Sequence, residues 1–397
     1  MPDFISEFLE FTKAYESPTQ FFRWAIIAGV AATLRDNCYL PLAGTRLYPN
    51  LYILIVARPA MRKANPLNST LKLLKYVHNT KIIEGRTSIQ AVIKRLGEVE
   101  RNKHGTALQG ASGIVYAEEI SSLFTEDDAT IPVLTDLYDF HEDYTSSLVT
   151  RESTKMKNVV ITLLAASNEE LLKPIFNSRA IYGGLLSRCL IVYGDRVRHR
   201  NSLVFEDPND YDPSELRVML QKISMLKGAF KFTKDAAVFY DHWYTSVCPE
   251  LEKKNSGTGA DGRIHTNILK VAMIVAVSSR CELVLTVEDI KKAIEICQEL
   301  YINYKRLTLG SGKNKDAEVQ VTILKILWEE ENHKLSREEI MFKCWGDVSD
   351  EGLDVISRTL QAGGLVKVWE DIKLKKQMFE LTPKSIQFFE EKNAKPS

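Results

Sequence analysis

"LYILIVARPAMRKANPLN", residues 51–68, decides how the chain is read. Leu51 to Val56 is an unbroken apolar run, the pattern of a strand buried on both faces of a parallel sheet rather than one exposed on alternate positions. The run gives way to a loop carrying Pro59, Arg62 and Lys63. A strand that ends in a basic loop is where nucleotide-binding folds cradle phosphate. Glycines there let backbone N–H groups approach, a lysine reaches the outer phosphates, and a Ser/Thr hydroxyl meets Mg²⁺. With Lys63 aligned on that lysine, Ala57 and Arg62 fall on the two glycine positions and Ala64 on the hydroxyl position. Only the lysine is kept. A side chain where φ must be positive costs energy, and loss of the hydroxyl removes a direct Mg²⁺ ligand. Pro66 predicts that the following helix starts late, near Asn65 or Asn68. Two readings stay open: a rebuilt phosphate loop in which Arg58 or Arg62 supplies side-chain donors, and a basic turn on an inactive scaffold.

Outward from this stretch, the 397 residues are enough for about two to four domains. Apolar residues are 45% and charged residues 26% of the chain, which excludes fibrous and disordered classes. Lys plus Arg and Asp plus Glu number 52 each, so any contact with nucleic acid must come from local patches. The cysteines (Cys38, Cys189, Cys248, Cys281, Cys297, Cys344) form no C-x-x-C pair and no cysteine–histidine cluster at metal-ligand spacing, and read as reduced thiols. The start, "MPDFISEFLEF", lacks the basic beginning of a secretory signal, and the longest apolar run, "AIIAGVAATL" at 25–34, is about half a bilayer span. A cytoplasmic protein without membrane contact is expected.

The apolar pattern divides the chain into an N-terminal helical segment at 1–45, a parallel α/β core at 46–204, a helical subdomain at 205–308, a linker at 309–317 and a C-terminal module at 318–397. In the first segment Ser17 is expected to cap a helix that begins at Pro18. The core alternates the apolar runs "LYILIV", "GIVYAEE", "NVVITLLAAS" and "CLIVYG" with helical stretches. The linker contains "GSGK" at 310–313, which follows a helix rather than a strand and reads as a chance match. Beyond it, three helical stretches and two strand-like runs spell a winged helix.

Chemistry-bearing residues stand at the ends of the core strands. Glu118 and Glu119 close "GIVYAEE", the position where one carboxylate holds Mg²⁺ and the other polarises an attacking water. Asn168 closes the next strand and can orient a water, although asparagine at a strand end also forms turns. Gly183 and Gly184 precede Arg188, and Arg263 leads the main helix of the helical subdomain.

Strand and lysine loop, strand and Glu-Glu, strand and Asn, Gly-Gly-x-x-Ser-Arg, Arg-led helix and winged helix: in this order the series resembles the MCM-like AAA+ ATPases of phages and mobile elements, over roughly residues 17–308. The resemblance implies ATP and Mg²⁺ as cofactors, with Lys63 as the Walker A lysine and Glu118 and Glu119 as Walker B. It further implies Asn168 as sensor 1, Arg188 as arginine finger and Arg263 as sensor 2. It implies a DNA helicase or replication initiator that assembles into a ring, a hexamer, in a bacterial cell or phage-infected host. DNA, single-stranded or forked and bound without sequence preference, would meet Lys155 and Lys157 of "TRESTKMKN" (150–158) on a hairpin. It would also meet Lys367, Lys373, Lys375 and Lys376 on the wing. The acidic start of the helix at 349–364 opposes phosphate. The rival is a catalytically inactive AAA+ scaffold or loader that recruits a replication or defence protein through its winged helix.

Overall fold

The computed structural model describes residues 2–77, 80–85, 88–98, 110–124, 130–146, 153–175, 184–200, 212–254, 261–308 and 317–393. The "GSGK" motif, Gly183, residues 150–152 and the linker up to residue 316 lie outside these ranges. The chain forms two compact units, Met1–Arg306 and Leu307–Ser397.

The first unit is α/β. Its strands are β1 (Cys38–Leu42), β2 (Thr45–Leu47), β3 (Tyr52–Val56), β4 (Lys81–Ile83), β5 (Ser112–Ala117), β6 (His141–Ser146), β7 (Thr154–Ser167) and β8 (Cys189–Tyr193). Five of them make a parallel sheet in the order β4-β5-β7-β3-β8, and β6 pairs antiparallel with the first half of β7. β3 lies inside the sheet between β7 and β8 and is buried along its whole length, as its unbroken apolar sequence requires. After β3 the chain crosses to the far edge at β4, works back through β5 and β7, and ends on the other side of β3 at β8. That change of direction opens a crevice at the carboxyl ends of the strands, where α/β sheets bind ligands.

Helices α1 (Phe4–Phe11), α2 (Thr19–Leu34), α3 (Ala64–Leu74), α4 (Ile89–Gly97), α5 (Thr130–Tyr138), α6 (Glu169–Ile175) and the short α7 (Leu185–Arg188) complete this part. α2 is apolar all round and buried all round, a core helix rather than an amphipathic one. Its Gly29 lets α3 come close: a Cβ there would sit 2.8 Å from Thr70 Cγ2. The start of α2 differs from expectation. Pro18 occupies the cap position without a side-chain bond, because the Ser17 hydroxyl instead donates to the Arg62 carbonyl at 3.0 Å.

Pro66 also behaves differently from its sequence reading. α3 begins at Ala64, directly after Lys63, with Pro66 inside its first turn. The first N–H groups of a helix have no intrahelical partner, so proline forfeits nothing there. The lysine therefore sits at a helix N-terminus after all.

The rest of the first unit is mainly helical: α8 (Ser214–Ser224), α9 (Lys234–His242), a π-helical turn at Trp243–Val247, α10 (Cys248–Lys254), α11 (Ile264–Arg280) and α12 (Val287–Thr308). Three two-residue strands tie it together: β9 (Gly228–Ala229) adds to β1, and β10 (Lys231–Phe232) pairs with β11 (Val284–Leu285).

In the second unit α13 (Ala317–Glu329), α14 (Arg337–Lys343), α15 (Asp350–Ala362) and α16 (Pro383–Asn393) pack with an antiparallel sheet of order β12-β14-β13, at Lys334–Ser336, Lys376–Leu381 and Val366–Asp371 respectively. Ile323, Leu327, Ile340, Leu353 and Phe379 centre its core. α14 starts with a capping box, Ser336 and Glu339 each bonding the other's backbone.

Candidate functional site

The fold gathers the expected residues into two groups at opposite edges of the parallel sheet. At the carboxyl edge, β3 delivers the loop 57–63, β5 delivers Glu118 and Glu119, and β7 delivers Ser167 and Asn168. The loop bends through two non-glycine residues with positive φ, Ala60 at 67° and Arg62 at 54°. Each left-handed residue costs roughly 1–2 kcal/mol, and strain of this kind is concentrated at functional sites. The second glycine position thus has the backbone twist a glycine would give, imposed on an arginine.

Lys63 folds back over the loop, its Nζ donating to the carbonyls of Ala57 at 2.8 Å and Arg58 at 3.2 Å. Desolvation lowers its pKa below the ordinary 10.5, with the charge of Glu119 opposing the fall. The half-exposed Arg62 guanidinium pairs with Glu16 at 2.7 Å. Arg58 is exposed and makes no ion pair among the described residues.

The carboxylates are held from below. Glu118 accepts from the Asn68 amide at 3.3 Å, and Asn68 in turn accepts the Tyr116 hydroxyl at 2.8 Å. Glu119 accepts the Ser167 hydroxyl at 2.6 Å. Asn168 points elsewhere: its side chain caps α6 by accepting the Leu171 N–H at 2.8 Å, the turn-forming role. The residue beside the carboxylate is its neighbour, Ser167. Asn68, Tyr116 and Ser167 escaped the sequence reading, and the alternation of residues beyond a strand end was the one signal that pointed to Ser167.

Magnesium takes carboxylate, hydroxyl and phosphate oxygens and keeps several waters, and Glu118, Glu119 and Ser167 carry oxygens of that type in place of the hydroxyl lost at Ala64. The start of α3 offers a phosphate its positive dipole end but few donors, since the Asn65 N–H bonds the Arg62 carbonyl at 3.1 Å and Pro66 has none.

Arg188 and Arg263 come together at the amino edge. Arg188 closes α7 immediately before β8, whose Cys189 pairs with Tyr52 at the beginning of β3. The length of β3 therefore separates it from the Lys63 loop, about 16 Å for five residues at some 3.3 Å each. Both arginines meet Asp139, Arg188 at 2.8 Å and Arg263 at 3.6 Å. Both also lie over the Tyr138 ring, at 5.7 and 5.2 Å from its centre, with Lys270 at 4.0 Å. Burial works to raise the Asp139 pKa, but the Arg188 hydrogen bond and the charges of Arg263 and Lys270 hold it below its ordinary value. Lys270 is fully buried and donates to the backbone and side-chain oxygens of Asn50 at 2.8 and 2.9 Å. Desolvation, with Arg263 adding to it, depresses its pKa well below 10.5. The Arg188 Nε is buried and finds no hydrogen-bond partner among the described residues.

The lysines assigned to DNA are exposed. Lys155 and Lys157 lie two apart on β7, on one face of the β6–β7 pair, opposite Thr145 and Asp143, with Lys157 3.9 Å from the Asp143 carboxylate. In the second unit Lys367 is on β13, Lys373 and Lys375 are in the turn after it, and Lys376 opens β14, 3.5 Å from Glu338. The acidic start of α15 is partly neutralised: Arg337 binds Asp350 at 2.7 Å and Asp354 at 2.6 Å.

No helix among the described residues is long and apolar enough to cross a membrane. Compared with protein-family models and with curated proteins, the chain finds no match in either.

Proposed function

We propose that the chain is an ATP-driven AAA+ DNA helicase or replication initiator that works as a closed ring of identical copies, a hexamer. The observation that carries this is the division of residues between the two sheet edges. The carboxyl edge offers a lysine at a helix N-terminus and two supported carboxylates. The amino edge offers two arginines too far away to serve the same nucleotide. In a head-to-tail ring, the amino edge of one copy faces the carboxyl edge of the next.

In this arrangement Lys63 leaves its two carbonyls to meet phosphate, Glu118 would hold Mg²⁺, and Glu119 takes the proton of the attacking water. Bound magnesium supplies charge neutralisation on the phosphate oxygens. Ser167 keeps the Glu119 carboxylate oriented. Arg188, with Arg263 beside it, offsets the charge that develops during phosphoryl transfer on the neighbouring copy. Lys155 and Lys157 track DNA phosphates from a hairpin limb. The second unit, read as a winged helix, adds Lys367, Lys373, Lys375 and Lys376.

A second reading is favoured by the loop itself. Lys63 is satisfied by Ala57 and Arg58, and Arg62 is tied to Glu16, so the loop is stable as it stands. On that reading the chain is an inactive scaffold or loader that recruits a replication or defence protein through its second unit. ATP binding and hydrolysis by the full chain, with and without single-stranded DNA, separates the two. DNA-stimulated turnover that disappears in Glu119→Gln supports the motor. Absence of both ATP binding and turnover supports the scaffold.

A further inference from the structure

Away from both sheet edges, three side chains of metal-ligating type converge in the helical part of the first unit. Cys248 opens α10, Glu252 lies one turn further along the same helix face, and His265 stands in the first turn of α11. The Cys248 Sγ is 3.6 Å from Glu252 Oε1, His265 Nδ1 is 3.9 Å from the same oxygen, and all three atoms lie within 4.8 Å of one another. Sulfur, nitrogen and oxygen ligands on a tetrahedral zinc ion are separated by about 3.3–3.6 Å, given Zn–S near 2.3 Å and Zn–N or Zn–O near 2.0–2.2 Å. The three donors are therefore already close to the spacing that a shared ion requires.

We propose that Cys248, Glu252 and His265 bind a zinc-class divalent cation. Three further features of the site support this. The His265 Nδ1 is buried without a hydrogen-bond partner among the described residues and lies 3.9 Å from the Glu252 carboxylate. The imidazole packs on the Tyr244 ring at 5.1 Å, and the Tyr240 hydroxyl donates to the His265 backbone carbonyl at 3.4 Å. The π-helical turn before Cys248 aims the thiol across at α11, and such turns are enriched at functional sites.

The charge balance favours the ion. On binding, the Cys248 S–H bond breaks, its proton leaves to solvent and a sulfur–metal bond forms, so that one thiolate and one carboxylate neutralise the two positive charges. A sulfur and an imidazole among the donors select zinc over magnesium, and three protein ligands leave the fourth tetrahedral position to water. The ion would join α10 to α11 directly below Arg263.

Cobalt(II) titration of the full chain is the test, since cobalt occupies such sites and absorbs visibly when thiolate-bound. A thiolate-to-cobalt charge-transfer band that saturates at one ion per chain, is bleached by zinc and survives excess magnesium is expected. Loss of the band in Cys248→Ser, with weakened binding in His265→Gln, completes the assignment. A wild-type chain without that band, or one whose band persists in Cys248→Ser, overturns it. The wild-type spectrum decides even where a variant fails to fold, and none of these outcomes depends on ATP turnover.

Discussion

The two edges of the parallel sheet solve opposite problems with the same kinds of residue. At the carboxyl edge the charged groups are spread out and each is steadied by a neutral neighbour: Glu118 by Asn68, Glu119 by Ser167, Lys63 by backbone carbonyls. At the amino edge three cations crowd around one tyrosine ring and one carboxylate, and the lysine among them is sealed from water. The first arrangement leaves charge available to a ligand. The second sets two arginines and a desolvated lysine around a single carboxylate, Asp139; in the proposed ring the arginines would face an anion on the next copy.

The difference is broken most severely by removing the amino-edge arginine. Arg188→Ala should lower ATP turnover by about 10³-fold or more while leaving ATP binding nearly intact, whereas Lys63→Ala should lose binding itself. Titration calorimetry beside a turnover assay distinguishes them. Mixing Arg188→Ala with Glu119→Gln copies should restore some turnover, because the mixed ring contains interfaces with an intact arginine facing an intact glutamate. No recovery in rings that demonstrably mix would put both residues in one copy's site.

Lys270 tests the amino edge as structure. Lys270→Ala leaves a cavity and unpaired oxygens on Asn50, and should cost about 3 kcal/mol in urea unfolding. Its depressed pKa adds a pH signature. Between that lowered value and 10.5 the unfolded chain binds more protons than the folded one, so wild-type stability gains from this group as pH rises through the window. Lys270→Met lacks the group and should show a flatter profile; parallel slopes in the two proteins would mean that Lys270 is not desolvated as described.

Smaller effects probe the carboxyl edge. Ser167→Ala removes the 2.6 Å bond to Glu119 and should slow turnover about tenfold without changing ATP affinity, the mark of a positioning residue. Asn168→Ala, by contrast, removes a helix cap and should cost about 1 kcal/mol of stability. Ala60→Gly relieves a left-handed backbone at an exposed site and should raise stability by about 0.5 kcal/mol, the strain relieved slightly exceeding the added freedom of the unfolded chain.

The sheet was readable where strands are buried on both faces, since burial leaves unbroken apolar runs at β3, β5, β7 and β8. β4 was not, because its three residues include Lys81, whose buried Nζ bonds the carbonyls of Leu96 and Glu98 at the end of α4. β6 was hidden by its polarity, "HEDYTS", as one exposed partner of β7. At the candidate site, Lys63, Glu118 and Glu119 stood out because strand ends confine charge to a known edge. Pro66 misled because its effect depends on where in the first turn it falls.

What the sequence determined by itself was local: periodicity, burial demand and the chemical types at strand ends, all set by neighbours within a few residues. What tertiary structure alone decided was which distant groups share a space. Lys270 reaches Asn50 across 220 positions, Arg188 and Arg263 meet on Asp139, and Cys248, Glu252 and His265 converge from two helices. Such meetings depend on how packed helices and strands close over one another. A contact energy between remote residues leaves no periodic trace along the chain, so only the folded arrangement discloses it.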